Sequence, residues 1–154
     1  VSILSKDGWQ SFRYVASTAP AAAHILLIDP TITQNGVVLS TNRHTSTIDN
    51  LGTVTAIKNG LPLNASKPVV FCSYTTRRFD WSSLSFKKLP PVSECVEMIR
   101  PLCWYDYVIV RLVQAPEYLQ WLQRSELTDT FVKDRDFGDY TVMKNKIGAC
   151  RDAA

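Results

Sequence analysis

The feature that most constrains this chain is a series of short apolar segments divided by residues that favour turns. The segments lie at 8–17, 23–29, 36–41, 52–58 and 68–75. Pro20, Pro30 and Asn59-Gly60 are among the residues that divide them. Asn-Gly between two extended segments is a strong hairpin signal, because both residues tolerate the positive φ of a type I′ turn. The first half of the chain therefore predicts short, mostly antiparallel strands.

The second half adds two helix signals to the strand pattern. YDYVIVRL at 105–112 and a segment around 140–144 are typical of strands. A helix is expected at 92–99, where Ser93 can cap it and Pro101 ends it, and another at 116–124, which begins with Pro and Glu. We therefore predict a mainly β protein: an antiparallel β-barrel or sandwich of about eight strands, with two short helices.

Size and charge limit the classes of protein to consider. The chain has 154 residues, of which 45% are hydrophobic and 20% charged, so residues 1–154 fit one globular domain. Its net charge is only +3, and the basic residues form short pairs without a long run. The sequence therefore predicts no nucleic-acid partner. No apolar run approaches the length of a membrane span, so we expect a soluble chain without a membrane partner.

The four cysteines allow several chemical states. Cys72, Cys95, Cys103 and Cys150 contain no Cys-x-x-Cys pair, and the chain has only two histidines, so a zinc site is not expected. Cys72 and Cys103 sit beside apolar residues, which favours buried free thiols in a reducing compartment. Two disulfides remain open as the alternative. No metal or organic cofactor is predicted.

A histidine and an aspartate are the candidate catalytic residues. His44 follows the apolar run at 36–41, and Asp106 directly precedes the strand predicted after it. A carboxylate beside an imidazole fixes its tautomer and stabilises the imidazolium that forms when the ring accepts a proton. The alternatives are a polar loop histidine and an ordinary loop acid. His24, between Ala23 and Ile25, is interpreted as a structural histidine.

Three segments together resemble the chymotrypsin- and trypsin-like proteases. GVVLSTNRHT (36–45) resembles the strand and turn that present the catalytic histidine, and TVTAIKNGLPLNASKP (53–68) resembles the next hairpin. YDYVIVRL resembles the strand that begins with the catalytic acid. The resemblance implies that 1–115 correspond to the first barrel of a viral or stress-type protease. It also implies a polypeptide substrate, with His44 as general base and Asp106 as its orienting acid.

The nucleophile departs from the pattern of that family. The family carries a Ser or Cys in a Gly-x-Ser/Cys-Gly turn, and this chain contains no such turn. Cys150 is the candidate, with Gly148 two residues before it but Arg151 where the second glycine belongs. A thiol suits a histidine partner, because the imidazole can accept its proton and leave a thiolate.

Two other classes of protein fit the same pattern. One is a non-enzymatic, β-rich shell or protruding domain of a viral capsid, which would associate with copies of itself and be found in the virion. In that case His44 and Asp106 have no catalytic role. The other is a secreted effector or toxin with paired cysteines, which would require disulfides.

Overall fold

A mixed, five-stranded sheet is the centre of the computed structural model, which describes residues 6–30, 44–72, 79–80, 82, 85–86 and 97–150. The strands within these residues are β1 His24–Ile28, β2 His44–Ile48, β3 Val69–Phe71, β4 Phe79–Asp80, β5 Ser85–Phe86, β6 Glu97–Ile99, β7 Tyr107–Arg111, β8 Phe131–Phe137 and β9 Tyr140–Asn145. The helices are α1 Lys6–Thr18, α2 Asn50–Lys58, α3 Pro116–Arg124 and α4 Leu127–Thr130, with a 3-10 turn at Leu102–Trp104.

The order of strands in the sheet is β2-β1-β7-β9-β8. β1 lies between β2 and β7 and is parallel to both. β9 is antiparallel to its neighbours β7 and β8. The pairs β3–β6 and β4–β5 form two further antiparallel ribbons. Parallel neighbours need crossover connections, so this topology differs from an antiparallel barrel.

Helices cover both faces of the sheet. On one face, Phe12 and Val15 of α1 share a buried cluster with Ile25 and Leu27 of β1. On the other face, α2 and α3 contribute Ala56, Tyr118 and Trp121 to a larger cluster that contains Leu26 and Ile28. This alternation along β1 follows from the two-residue period of a strand. The described structure is therefore a three-layer α/β/α arrangement, and the prediction of a mainly β barrel or sandwich is wrong.

The segment at 8–17, predicted as a strand, lies within helix α1. Its buried residues are Gly8, Ser11, Phe12 and Val15. These positions are three, four and seven residues apart, which is the spacing of one helix face. The buried residues therefore follow a helical period and not the two-residue alternation of a strand.

The segment at 52–58, predicted as the first strand of a hairpin, lies within helix α2. The Asp49 carboxylate caps its start by accepting a hydrogen bond from the Gly52 amide at 2.8 Å. At its end, the Gly60 amide donates to the Ile57 carbonyl and the Leu61 amide donates to the Ala56 carbonyl. With Gly60 at φ +62°, these two bonds form a Schellman motif. Asn59-Gly60 therefore ends a helix and does not form a type I′ turn.

Several other predicted elements are confirmed. The helix at 116–124 is found with the predicted bounds, and the strands expected at 23–29, 105–112 and 140–144 are present as β1, β7 and β9. The strand expected at 68–75 is present over Val69–Phe71 as β3, and its end at 73–75 lies outside the described residues. Residues 97–99 form strand β6, so the helix predicted at 92–99 is wrong in its described part. The predicted strand at 36–41 lies outside the described residues. In the part of the chain that the structure describes, no helix is long and apolar enough to cross a membrane.

Candidate functional site

Three residues with acid–base side chains lie side by side at the N-terminal ends of the parallel strands. His24 is the first residue of β1 and His44 the first residue of β2, and their Cα atoms are paired in the register. Asp106 directly precedes β7, whose Tyr107 is paired with Ile25. We call these three residues, with Trp104, the histidine edge. His24 is in the middle, because β1 lies between β2 and β7.

The two histidine rings of this edge stack on each other. Their centroids are 4.6 Å apart and their planes differ by 14°. The stack follows from the sheet, because paired residues on neighbouring strands direct their side chains to the same face about 4.8 Å apart. His44 is exposed and His24 is half-buried. One imidazole is therefore open to a ligand while its neighbour is held by the protein.

Asp106 holds the main chain of His24. One carboxylate oxygen accepts a hydrogen bond from the His24 amide at 2.8 Å, and the Asp106 amide donates to the His24 carbonyl at 2.8 Å. The Cα atoms of Asp106 and His44 are separated by two strand spacings, about 10 Å. The histidine beside Asp106 is thus His24. The role predicted for Asp106 as the acid that orients His44 stays a prediction.

An aromatic ring and a cation extend the stack on the side of β7. The Trp104 ring lies edge-on to the His24 ring, with centroids 5.3 Å apart. The guanidinium carbon of Arg100 lies 5.1 Å from the centroid of Trp104. This distance is within the range of a cation–π interaction. The order across the edge is therefore Arg100, Trp104, His24 and His44.

Hydrogen bonds hold the segment that carries Trp104. The Tyr105 hydroxyl donates to Ser46 of β2 at 2.9 Å and accepts from the Arg100 amide at 3.2 Å. Burial raises the pKa of Tyr105, so its phenol is neutral at physiological pH. The Asn145 amide group donates to the Tyr105 carbonyl at 3.0 Å. The segment that carries Trp104 is thus hydrogen-bonded to both β2 and β9.

Cys150, the predicted nucleophile, is disulfide-bonded to Cys103, with Cα atoms 5.3 Å apart. Its amide also donates to the Cys103 carbonyl at 2.8 Å. Cys72 is disulfide-bonded as well. The prediction of buried free thiols at Cys72 and Cys103 is therefore wrong. The Cys150 sulfur cannot act as a thiolate while this bond is intact, and the disulfide instead attaches the C-terminal segment beside Trp104.

We expect a thiol reagent to distinguish these states directly. Iodoacetamide added to the native protein should leave Cys72, Cys103 and Cys150 unmodified, because only a thiolate reacts. After reduction under denaturing conditions, all three should carry the adduct, as read by peptide mass spectrometry. Modification of Cys150 in the native, unreduced protein would contradict the disulfide and restore the thiol as a candidate nucleophile.

The opposite edge of the parallel strands holds a buried carboxylate, Asp29, directly after β1. Asp29 is 1% exposed and accepts a hydrogen bond from the Tyr140 hydroxyl at 3.0 Å. Arg111 at the end of β7 forms an ion pair with it at 3.7 Å and a closer one with Asp139 at 2.9 Å. The charge of Asp29 is thus compensated within the core, and this cluster stabilises the fold. It has no exposed acid–base group comparable to His44.

Sequence reasoning missed the partner of His44. The sequence favours a structural role for His24, whereas the structure places it, like His44, as the first residue of a parallel strand. A signal was present, because parallel strands begin at the same edge of a sheet and so bring their first residues together. Recognising it requires knowing that β1 and β2 are adjacent and parallel. Among the described residues, no group of three or more His, Cys, Asp or Glu side chains could hold a metal ion.

Comparisons with protein-family models, curated proteins and solved structures found no match to this chain. The resemblance to chymotrypsin-like proteases therefore stays a prediction, as does the capsid alternative.

Proposed function

We propose that the histidine edge cleaves RNA by general acid–base catalysis, with His44 as the base and His24 as the acid. The observation that carries this proposal is the stacking of the only two histidines of the chain, 4.6 Å apart, at an edge where one of them is exposed. Histidine changes charge near neutral pH, so one ring can accept a proton while its neighbour donates one.

An RNA substrate removes the need for a nucleophile from the protein. The sulfur of Cys150 is bonded to Cys103, and the 2′-hydroxyl of RNA supplies an internal nucleophile next to the phosphate. His44 removes the 2′-hydroxyl proton, the 2′-oxygen bonds to phosphorus, and the bond from phosphorus to the 5′-oxygen breaks. His24 donates its proton to that leaving oxygen. The products are a 2′,3′-cyclic phosphate and a 5′-hydroxyl. Proton exchange with solvent then returns His44 to its neutral form and His24 to its protonated form.

The neighbours of the two rings support these roles. The Asp106 carboxylate accepts a hydrogen bond from the His24 main-chain amide and so fixes the position of the residue that carries the acid. Trp104 can stack on an unpaired base, as aromatic side chains do in proteins that bind single-stranded RNA. Arg100 beside it carries a charge suited to phosphate. The site thus combines an acid, a base, a stacking surface and a cation.

The disulfides favour one class among the alternatives. Disulfides persist mainly in oxidising environments, so Cys103–Cys150 and the bonded Cys72 suit a secreted effector or toxin. An RNA substrate departs from the sequence-based expectation of no nucleic-acid partner: the net charge is only +3, and the cation beside the two rings is Arg100. Peptide cleavage through Cys150 would instead require reduction of its disulfide.

The test is a cleavage assay on a single-stranded RNA oligonucleotide in the presence of EDTA. We expect fragments that end in a 2′,3′-cyclic phosphate, identified by mass spectrometry, and a rate with a maximum between acidic and alkaline pH, since one ring must be neutral and the other protonated. DNA of the same sequence is the control and should remain intact, because it lacks the 2′-hydroxyl. Intact RNA, or equal cleavage of the DNA, would contradict the proposal.

A further inference from the structure

We infer that a groove between α1 and β8 binds a nucleotide, in which a sugar links a phosphate group to an aromatic base. We call it the arginine groove and define it by Arg13 and Tyr14 of α1 with Arg135 and Phe137 of β8. Its volume is about 530 Å³, which lies in the range of small-molecule sites. α1 covers the face of the sheet opposite to the one on which His24 and Leu26 lie, so this site is separate from the histidine edge.

Aromatic rings hold the guanidinium of Arg135 in place. Its central carbon lies 5.2 Å from the Tyr14 ring centroid and 5.4 Å from that of Phe137. The two rings themselves are 5.6 Å apart. Cation–π contacts at these distances restrict the position of the guanidinium, whose N–H groups can bind an oxyanion. Arg135 is therefore positioned in the groove before a ligand arrives.

The arginines of the groove have no carboxylate partner in the described contacts. Among the described residues, neither Arg13 nor Arg135 takes part in an ion pair. The nearby Asp136 carboxylate is bound by Lys133 at 2.7 Å and by the Thr141 hydroxyl at 2.9 Å. These hydrogen bonds lower the pKa of Asp136, so it remains charged and satisfied.

The other carboxylate nearby is engaged by Tyr14. Asp134 accepts a hydrogen bond from the Tyr14 hydroxyl at 2.7 Å, and this bond raises the pKa of Tyr14. Asp136 is thus bound to Lys133 and Asp134 to Tyr14, so neither carboxylate is bound to Arg13 or Arg135 in the described contacts. The two guanidinium groups favour an anionic ligand, and the rings of Tyr14 and Phe137 favour one with a flat apolar part.

Calorimetric titration with adenosine 5′-monophosphate, adenosine and inorganic phosphate tests the inference. We expect the monophosphate to bind at least about tenfold more tightly than either part alone, because it uses both the cations and the rings. Arg13→Ala and Arg135→Ala should each weaken this binding about tenfold or more. Arg135→Lys keeps the charge but loses the planar fork, so it should not restore binding. Arg124→Ala, an exposed arginine at the end of α3, is the matched control and should bind normally.

A second set of titrations separates a free nucleotide from a unit of an RNA strand. It uses a short RNA oligonucleotide with the His24→Ala/His44→Ala double variant, which does not cleave if the proposed function holds. Tighter binding of the oligonucleotide than of the monophosphate assigns the groove to an RNA strand, and the reverse assigns it to a free nucleotide. Equal affinity for adenosine and its monophosphate, or no effect of either arginine-to-alanine change, overturns the inference. RNA cleavage by the unaltered protein is independent of this outcome.

Discussion

Replacing Trp121 with alanine should lower the free energy of unfolding by about 3–5 kcal/mol. Trp121 is fully buried in the larger core, where α3 packs on the sheet. Its indole N–H donates to the Leu61 carbonyl at 3.0 Å. The change would leave a cavity, and the partly buried Leu61 carbonyl would lose its hydrogen-bond donor. The lost packing and the lost hydrogen bond both lower the free energy of unfolding. Urea denaturation followed by circular dichroism measures the effect.

Trp9→Ala is the matched control for this experiment. Trp9 lies on α1 and is 45% exposed. Because alanine is a better helix former and little packing is lost, the free energy of unfolding should change by no more than about 0.5 kcal/mol. A loss at Trp121 no larger than the loss at Trp9 would show that α3 is not part of the core.

The elements that sequence reasoning predicted correctly carry signals at more than one level. Helix α3 begins with Pro116 and Glu117 and has an apolar face that includes Tyr118 and Trp121. Strand β7 is a continuous apolar run, and its burial on both faces of the sheet explains that pattern. In both cases local propensity and burial favour the same structure. Such agreement makes an element predictable without knowledge of its neighbours.

Helix α2 shows why the predicted fold class is wrong. Its segment contains Val54 and two threonines, which favour a strand by intrinsic propensity. Asp49 at the start and Gly60 just after the end favour a helix, but Asn59-Gly60 also fits a hairpin. Packing of Ala56 into the core beneath α3 favours the helix. Propensity alone could not decide between the two, because that contact is formed by residues distant in the sequence.

The candidate site was predictable only in part. His44 and Asp106 could be identified because each lies next to an apolar segment, and both do lie at one edge of the sheet. The disulfide partner of Cys150 could not be predicted, since the spacing of cysteines does not determine which of them form a disulfide. The stack of His24 on His44 depends on the register of two parallel strands, which is a long-range property.

Replacing either histidine of the edge should lower the rate of RNA cleavage by about 10²–10⁴-fold, the usual contribution of a general acid or base. Because the proposed reaction uses both rings in one step, the cleavage rate of the double variant His24→Ala/His44→Ala should be little lower than that of the slower single variant. Single-turnover rates on one RNA oligonucleotide measure these effects. Losses that multiply in the double variant would show that the rings act independently.

The most direct measurement is the cleavage rate of His44→Ala relative to the unaltered protein, at the pH where the latter is fastest. His44 is exposed, so this change should leave the thermal unfolding temperature nearly unchanged, and a lost rate then reports chemistry. Thr47→Ala, on the same strand, is the control and should keep the rate. We expect the rate to fall about 100-fold or more for His44→Ala alone. Equal rates for the two variants and the unaltered protein would contradict the histidine edge as the catalytic site.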